Sequence, residues 1–274
     1  MKERAYIPWV VLGSGRLGTT IAHLAPRLGV ELRAVWSRSG CPKGLPKTNE
    51  LHGGIESTFE YLGGSVVWIT VADEAIPEVA AAVARHLRPA DIVVHCSGVL
   101  DSRVLRNAGI LGPVASIHPL LSIAEPRKAI ERLSTCAWTV EGDFPAVAFA
   151  KWMLGKIGVD PIEIEPENKV LYHASAVTAA GLLDALMDVA FSFADASGFS
   201  SEQSRSLLLP LARSILENLE TRNTASSLTG PVARGDEEVI ARHIEAIAAT
   251  GDASALEVYK VLTERARLVR NDPH

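Results

Sequence analysis

The chain carries the pattern Gly13-Ser14-Gly15-Arg16-Leu17-Gly18 between two apolar segments. Residues 7–12 before it form a continuous apolar run, and apolar residues recur over 17–28 with helical spacing. Strand, tight glycine turn and helix in this order form a dinucleotide-binding fingerprint. The first glycine permits the turn, the second lets a pyrophosphate approach the backbone, and the third packs helix on strand. The helix N-terminus attracts phosphate. A plain glycine-rich turn is the alternative interpretation.

The end of the second predicted strand, residues 30–36, indicates which dinucleotide is bound. An NAD site places Asp or Glu there to hold the ribose hydroxyls, whereas this chain has Ser37, Arg38 and Ser39. Arg38 could bind a 2′-phosphate through charge-assisted hydrogen bonds, with both serines as additional donors. The segment therefore predicts NADP as the cofactor. The alternative is that Arg38 is a solvated loop residue.

Strand-like and helical segments alternate through the first part of the chain. Apolar strands are predicted over 65–71, over 91–98 together with the turn that ends it, and over 114–119, with a short strand over 161–164. Such continuous apolar strands between helices predict a parallel sheet covered on both faces. Ligands bind beyond the carboxyl ends of these strands. Four polar or turn positions follow the strands there: Ala72, Asp73, Ser97 and His118.

Composition narrows the possible partners and the compartment. The 274 residues carry a net charge of -5 and no basic run, so nucleic acid is not expected as a partner. The three cysteines lack any zinc or disulfide spacing, and no metal site is predicted. No apolar signal core precedes the first strand, which predicts the cytoplasm. The apolar stretch 174–183 is shorter than the ~20 residues that span a bilayer, so no membrane partner is expected.

The last part of the chain shows helices only, which predicts two domains, 1–164 and 165–274. Residues 167–198 read as one long helix that is apolar almost all round, followed by helices over 200–219, 236–249 and 254–269. A helix without a polar face must be covered on all sides. Either the sister helices wrap it or a second subunit does, and we expect a homodimer. The fold class predicted is α/β, an N-terminal Rossmann doubly wound sheet followed by an all-α C-terminal domain.

Three further phrases carry a resemblance to known proteins: Ser116-Ile117-His118-Pro119-Leu120, residues 169–176 (KVLYHASA) and residues 228–236 (LTGPVARGD). With the GxGRxG turn, the chain resembles the superfamily of β-hydroxyacid dehydrogenases, ketopantoate reductases, pyrroline-carboxylate reductases and prephenate dehydrogenases. It is more similar to bacterial Rossmann-like proteins with a C-terminal helical domain of unknown function. That resemblance implies a 6-phosphogluconate-dehydrogenase-like architecture and an NADP-dependent oxidoreductase. It does not name a substrate.

Lys169 and His173 are four residues apart and share one helix face. In the β-hydroxyacid dehydrogenases the matching helix begins with a catalytic Lys followed four residues later by Asn, so His173 is a departure. The resemblance implies that Lys169 exchanges a proton with the substrate oxygen during hydride transfer while a neighbouring donor orients the substrate. The alternatives are a surface charge for Lys169 and a hydrogen-bonded core residue for His173.

Three more positions are candidates for the same site. Ser97 matches a substrate-binding Ser or Thr of the dehydrogenases, and His118-Pro119 resembles the His-Pro of prephenate dehydrogenases. Both could instead be the polar turn residues that strand ends require. Arg234 is a candidate contact for a substrate carboxylate or the cofactor. Asp236 has a sufficient structural role as a helix N-cap.

These residues predict hydride transfer between NADP and a small carbonyl or imine substrate, which we expect to be acidic. The competing hypothesis is a non-catalytic NADP-binding or sensing protein whose helical domain serves dimerisation or partner binding. The two differ in whether polar groups converge on the nicotinamide.

Overall fold

The computed structural model describes residues 7–271, which divide into two compact units between Val177 and Thr178. The division falls later than the predicted 164/165 boundary. Lys169 and His173 therefore belong to the first unit, together with the whole sheet.

The first unit is built on an eight-stranded sheet of order β3-β2-β1-β4-β5-β6-β7-β8. Its strands are β1 (Trp9–Leu12), β2 (Leu32–Ser37), β3 (Asn49–His52), β4 (Val66–Ile69), β5 (Ile92–His95), β6 (Val114–Pro119), β7 (Trp138–Gly142) and β8 (Ile162–Glu163). Alternate residues of β1 enter opposite cores, with Trp9 and Val11 on one face of the sheet and Val10 and Leu12 on the other. Burial on both faces explains why the central strands are continuously apolar.

One pairing differs from the predicted parallel sheet, and one strand, β3, lies in a segment without a predicted strand. β7 pairs antiparallel with β6, so the sheet is mixed. β3 is an edge strand inside a Gly/Pro/Lys-rich segment that predicts a loop. Its side chains are mostly exposed, and an exposed edge strand needs no apolar run. The prediction of a parallel sheet was therefore wrong only for the β6–β7 pairing, because β3 pairs parallel with β2 and β8 pairs parallel with β7.

Seven helices accompany the sheet within the described part of the first unit. They are α1 (Arg16–Arg27), α2 (Phe59–Leu62), α3 (Ile76–Ala84), α4 (Arg103–Asn107), α5 (Pro126–Arg132), α6 (Phe144–Gly155) and α7 (Lys169–Val177). A short 3-10 turn, Pro166–Asn168, leads directly into α7.

The second unit is helical throughout its described residues. A π-helical turn, Thr178–Leu182, joins α7 to the next helix, so the predicted long helix is confirmed with one local change of hydrogen bonding. The helices are α8 (Leu183–Ala196), α9 (Ser201–Thr221), α10 (Thr224–Ser227), α11 (Gly230–Arg234), α12 (Glu237–Ala249) and α13 (Ala253–Asn271). Asp236 caps α12 as predicted, since its Oδ1 accepts a hydrogen bond from the Val239 N–H at 3.3 Å.

The helical segment Pro166–Ala196 corrects the expectation that the apolar stretch, taken as residues 174–183, is too short to span a bilayer. Its 31 residues include an 18-residue window of mean hydropathy 1.5, none of which is buried, so by length and composition alone it could cross a membrane. A single such helix is weak evidence for a membrane protein. Lys169, near the start of this segment, is buried in the first unit, as described below.

Candidate functional site

The turn between β1 and α1 shows what each glycine is for. Gly13 has φ +114°, and a Cβ there would lie 2.7 Å from the Thr70 carbonyl carbon. A Cβ on Gly18 would lie 1.8 Å from the Gly13 carbonyl oxygen. Gly15 is different: its φ is -63°, and a Cβ would meet nothing within 4 Å. The chain's own packing explains Gly13 and Gly18, whereas Gly15 leaves an open approach to the backbone that a pyrophosphate would use.

The first turn of α1 is suited to an anion. Its N-cap is Gly15, which supplies no side-chain cap, and the turn contains no acidic residue. The Thr19 hydroxyl holds the loop from inside by donating to the Ser14 carbonyl at 3.0 Å. Arg16 is exposed, and Leu17 is partly buried against the core. An uncapped helix N-terminus of this kind binds phosphate through its backbone N–H groups.

The other predicted cofactor residues lie at the same edge of the sheet, because β2, β1 and β4 are neighbours. Ser37 ends β2, and Arg38 and Ser39 follow it with exposed side chains. Within residues 7–271 the Arg38 guanidinium has no hydrogen-bond or ion-pair partner, which leaves it available to a ligand. Ala72 and Asp73 follow β4 and are also exposed.

A second polar cluster lies two strands away, at the carboxyl ends of β5 and β6. Lys169, the first residue of α7, is 1% exposed. Its Nζ donates to the Ser116 hydroxyl at 2.7 Å and to the Ser97 carbonyl oxygen at 3.2 Å. The Glu141 carboxylate lies 3.9 Å from Nζ. The ammonium group is therefore enclosed by protein groups and does not extend into solvent.

Glu141 belongs to the same buried network. Its two carboxylate oxygens accept hydrogen bonds from the Ser102 N–H at 2.8 Å and from the Ser102 hydroxyl at 2.7 Å. Burial raises the pKa of Glu141 against the opposing effect of these bonds and of Lys169. Burial lowers the pKa of Lys169, as predicted, although Glu141 counteracts it. The Lys169 ammonium and the Glu141 carboxylate therefore each favour the charged form of the other.

His118 and His173 lie beside this network and are half-buried. The His118 Nδ1 is 2.8 Å from the Tyr172 hydroxyl oxygen, to which the Thr139 hydroxyl donates at 3.1 Å. The two imidazole centroids are 6.3 Å apart. Burial, followed by the charges of Lys169 and His173, lowers the pKa of His118 to about 4. His118 is therefore a neutral ring at physiological pH.

A close backbone approach shapes the space between the two imidazoles. A Cβ on Gly98 would lie 2.6 Å from the His173 Cδ2 and 2.8 Å from the His118 Cε1. The position just after Ser97 must therefore be a glycine if both rings are to keep their places.

Ser97 has a turn role in the structure. Its hydroxyl oxygen accepts hydrogen bonds from the N–H groups of Val99 at 3.2 Å and Leu100 at 3.0 Å. That geometry fits the alternative of a polar turn residue, although the hydroxyl keeps its own proton for a further contact. Arg234 lies exposed at the end of α11 in the second unit.

The sequence reasoning assigned no role to four residues of this cluster: Tyr172, Thr139, Ser116 and Glu141. Tyr172 stood inside the KVLYHASA phrase, but the partner of its hydroxyl comes from a distant strand. The position of Glu141 in the sequence could have indicated that it has a buried partner. A carboxylate in a strand whose other residues are mostly apolar needs a buried partner, and β7 itself was not predicted.

Comparison with known proteins agrees with this description. Residues 136–266 match the model of a family described as "Domain of unknown function (DUF2520)", which confirms the predicted resemblance for this part of the chain. No curated protein matches the chain.

Solved structures resemble the chain over nearly its whole length. A candidate NADP oxidoreductase from Bacteroides fragilis has 17% identity and a TM-score of 0.79, covering 97% of this chain and 99% of that chain. A protein from Thermotoga maritima has 24% identity and a TM-score of 0.69, covering 96% and 98%. Pyrroline carboxylate reductase from Plasmodium falciparum, solved with NADP bound, has 12% identity and a TM-score of 0.61, covering 96% and 99%. These likenesses confirm the predicted Rossmann fold with a helical C-terminal region.

Proposed function

We propose that the protein is an NADP-dependent oxidoreductase that transfers hydride between the nicotinamide and a small carbonyl or imine substrate. The observation that carries this proposal is the open space at Gly15, between two glycines that the fold itself requires. Within a strand–turn–helix unit, that combination is suited to a dinucleotide pyrophosphate. The similar structures described as NADP oxidoreductases support the same class.

The cofactor contacts follow from the positions of the residues. The backbone of residues 13–18 would hold the pyrophosphate at the N-terminus of α1. Arg38, with Ser37 and Ser39, would bind the 2′-phosphate, because its guanidinium has no partner within residues 7–271. Ala72 and Asp73 would line the cofactor on the β4 side. The bound cofactor would supply or accept the hydride.

The cluster at the ends of β5 and β6 would serve the substrate. When hydride reaches a C=O or C=N carbon, negative charge or a proton demand develops on the heteroatom, and a donor must lie within hydrogen-bond reach. His118 and His173 are the half-exposed donors of the cluster. Lys169 and Ser97 lie behind them, and Lys169 would take part directly only if its bonds to Ser116 and Ser97 open. Arg234 is the proposed contact for an acidic group.

We also propose a cytoplasmic homodimer that binds a small-molecule substrate, with no nucleic-acid or membrane partner. The buried Lys169 supports the absence of a membrane partner for the helix Pro166–Ala196. Lys169 lies near the start of this helix and is hydrogen-bonded to Ser116 of the sheet. A second copy would cover the apolar faces that follow.

Replacement of Gly15 by Ala tests the cofactor site directly. The backbone at Gly15 accepts any residue and the added Cβ meets no protein atom, so the melting temperature should not change. NADPH binding should weaken by about tenfold or more, or ~1.4 kcal/mol, because the methyl group occupies the pyrophosphate approach. Titration of NADPH fluorescence measures this. Gly155→Ala is the matched control, since a Cβ there also meets nothing within 4 Å. Equal NADPH affinities in the two variants would refute the proposal.

The non-catalytic NADP-binding hypothesis keeps one specific observation in its favour, the enclosure of the Lys169 amine. Both hypotheses predict NADPH binding, so turnover separates them. NADPH oxidation by any member of a panel of small keto acids, aldehydes and cyclic imines supports the enzyme. Tight NADPH binding with no turnover across the panel supports the sensor.

A further inference from the structure

A chain of three hydrogen-bonding groups ends at His118. The Thr139 hydroxyl on β7 is 3.1 Å from the Tyr172 hydroxyl oxygen on α7, which is 2.8 Å from the His118 Nδ1 at the end of β6. Thr139 is 5% exposed, and the other two residues are half-buried. The proposed reaction assigns no role to Thr139 or Tyr172.

The number of protons that these groups carry shows which group donates in each hydrogen bond from Thr139 to His118. Each hydroxyl has one proton to donate. Within residues 7–271 the Thr139 hydroxyl has only the Tyr172 oxygen as a partner, and that oxygen has only His118 Nδ1 as its second partner. If Thr139 donates to Tyr172 and Tyr172 donates to Nδ1, both protons find an acceptor. If Nδ1 carried the proton and donated it to the Tyr172 oxygen, Tyr172 could donate only to the Thr139 oxygen, and the Thr139 proton would have no acceptor among the described residues, which costs free energy.

The charge state of the ring completes the argument. Burial and the nearby Lys169 lower the pKa of His118 to about 4, so the ring holds one proton at neutral pH. A neutral imidazole that accepts at Nδ1 carries its proton on Nε2. Nε2 has no partner within residues 7–271, and it lies near Gly98, where a Cβ would be 3.0 Å away.

We propose that Thr139 and Tyr172 are positioning residues that hold His118 as its Nε2–H tautomer, and that this N–H donates to the substrate's carbonyl oxygen or imine nitrogen. The substrate half of this inference rests on the proposed function. An uncharged N–H donor fixed in place stabilises negative charge as it develops on the heteroatom, without loss of a proton from a cation. The acceptor it suits is an uncharged C=O or C=N group rather than a carboxylate.

The tautomer can be measured without a substrate. In protein labelled with ¹⁵N-histidine, a long-range ¹H–¹⁵N spectrum at pH 7 reports which ring nitrogen is protonated, with His118→Gln assigning the signals. We expect the Nε2–H form alone in the unmodified protein. Tyr172→Phe should give a mixture of tautomers and a higher His118 pKa, because the bond that favours the unprotonated Nδ1 is lost.

The second unit supplies a matched control. Tyr259 makes an equivalent contact with His243, its hydroxyl oxygen lying 2.7 Å from Nδ1. Tyr259→Phe should change the His243 signals and leave those of His118 as they are. Thr139→Val should shift the His118 tautomer in the same direction as Tyr172→Phe but less, and it replaces that variant if Tyr172→Phe does not fold.

The outcomes separate this inference from the proposed function. A His118 ring protonated on Nδ1, or a Tyr172→Phe spectrum unchanged at His118, would overturn it. With an active substrate, Tyr172→Phe should lower kcat and leave the Kd for NADPH unchanged. If the protein shows the Nε2–H tautomer but binds no NADPH, the proposed function and the donation to a substrate are both contradicted. The positioning of His118 by Thr139 and Tyr172 would still stand.

Discussion

Arg38 is an exposed cation with a serine on each side at the end of β2. Within residues 7–271 its guanidinium has no hydrogen-bond or ion-pair partner. Arg103, in contrast, forms ion pairs with Asp101 and Glu167. A guanidinium without a protein partner keeps its hydrogen-bonding fork for a phosphate. We therefore propose that selectivity for the phosphorylated cofactor depends on this one side chain.

Arg38→Asp should remove the preference for NADPH over NADH. The charge-assisted contact with the 2′-phosphate is worth about 1.5–3 kcal/mol, and an Asp adds repulsion. Fluorescence titrations with both cofactors measure the ratio of the two dissociation constants. Arg213→Asp, an equal charge change at an exposed position on α9, should leave that ratio as it is. Equal affinities for NADPH and NADH in the unmodified protein would show that Arg38 has no such role.

At the scale of elements, the start of α7 depends on a buried ion pair with β7. Lys169 and Glu141 are both nearly inaccessible, and their charges offset one another across 3.9 Å. A buried pair of this kind adds little net stability, but the loss of one partner leaves an uncompensated charge.

Lys169→Met should destabilise the protein by about 3–5 kcal/mol at pH 8. The penalty should shrink as the pH falls, because the Glu141 pKa is already raised by burial and rises further without Lys169. In the variant the folded state then binds more protons than the unfolded state between the unfolded value, about 4.3, and the raised folded pKa, so stability falls as pH rises through that window. Urea unfolding at pH 5 and pH 8 measures this.

Two comparisons complete the Lys169 experiment. The double variant Lys169→Met/Glu141→Gln should regain most of the lost stability, while Lys151→Met, at an exposed ion pair with Glu163, should cost at most about 1 kcal/mol. A penalty that does not depend on pH would contradict the ion-pair account. If the double variant is stable but inactive, Lys169 takes part in the chemistry; if its activity returns, Lys169 is structural.

At the scale of the whole molecule, the apolar helix Pro166–Ala196 requires a cover. Leu171, Leu182 and Leu186 on it are 78%, 56% and 37% exposed. Small residues such as Ala176, Ala179 and Gly181 lie along the same segment and would permit close helix contact. A second copy of the chain is the cover that we propose.

Light scattering at micromolar concentration should give a dimer. Leu182→Glu should give a monomer, because the charge would be buried in the interface. Leu111→Glu, at a loop position that is 81% exposed, should remain dimeric. A monomeric unmodified protein would refute the homodimer, and co-sedimentation of the protein with lipid vesicles would favour a membrane partner for this helix.

The sequence alone determined the features whose causes are local. The glycine turn, the apolar central strands, the long apolar helix and the Asp236 cap were all predictable, because each depends on residues within a few positions of one another. The edge strand β3 and the antiparallel β7 were not predictable. Each is less apolar along the chain than the neighbouring strand with which it pairs, β2 or β6, so its sequence alone did not indicate a strand. The resemblance grouped Lys169, His173, Ser97 and His118 at one site, and the structure brings these residues together. Only the tertiary structure decided which other polar residues join them. Lys169 reaches Ser116 across 53 positions of sequence, and Tyr172 reaches His118 across 54. Such contacts are set by strand order and helix placement, which the spacing of residues along the chain does not encode.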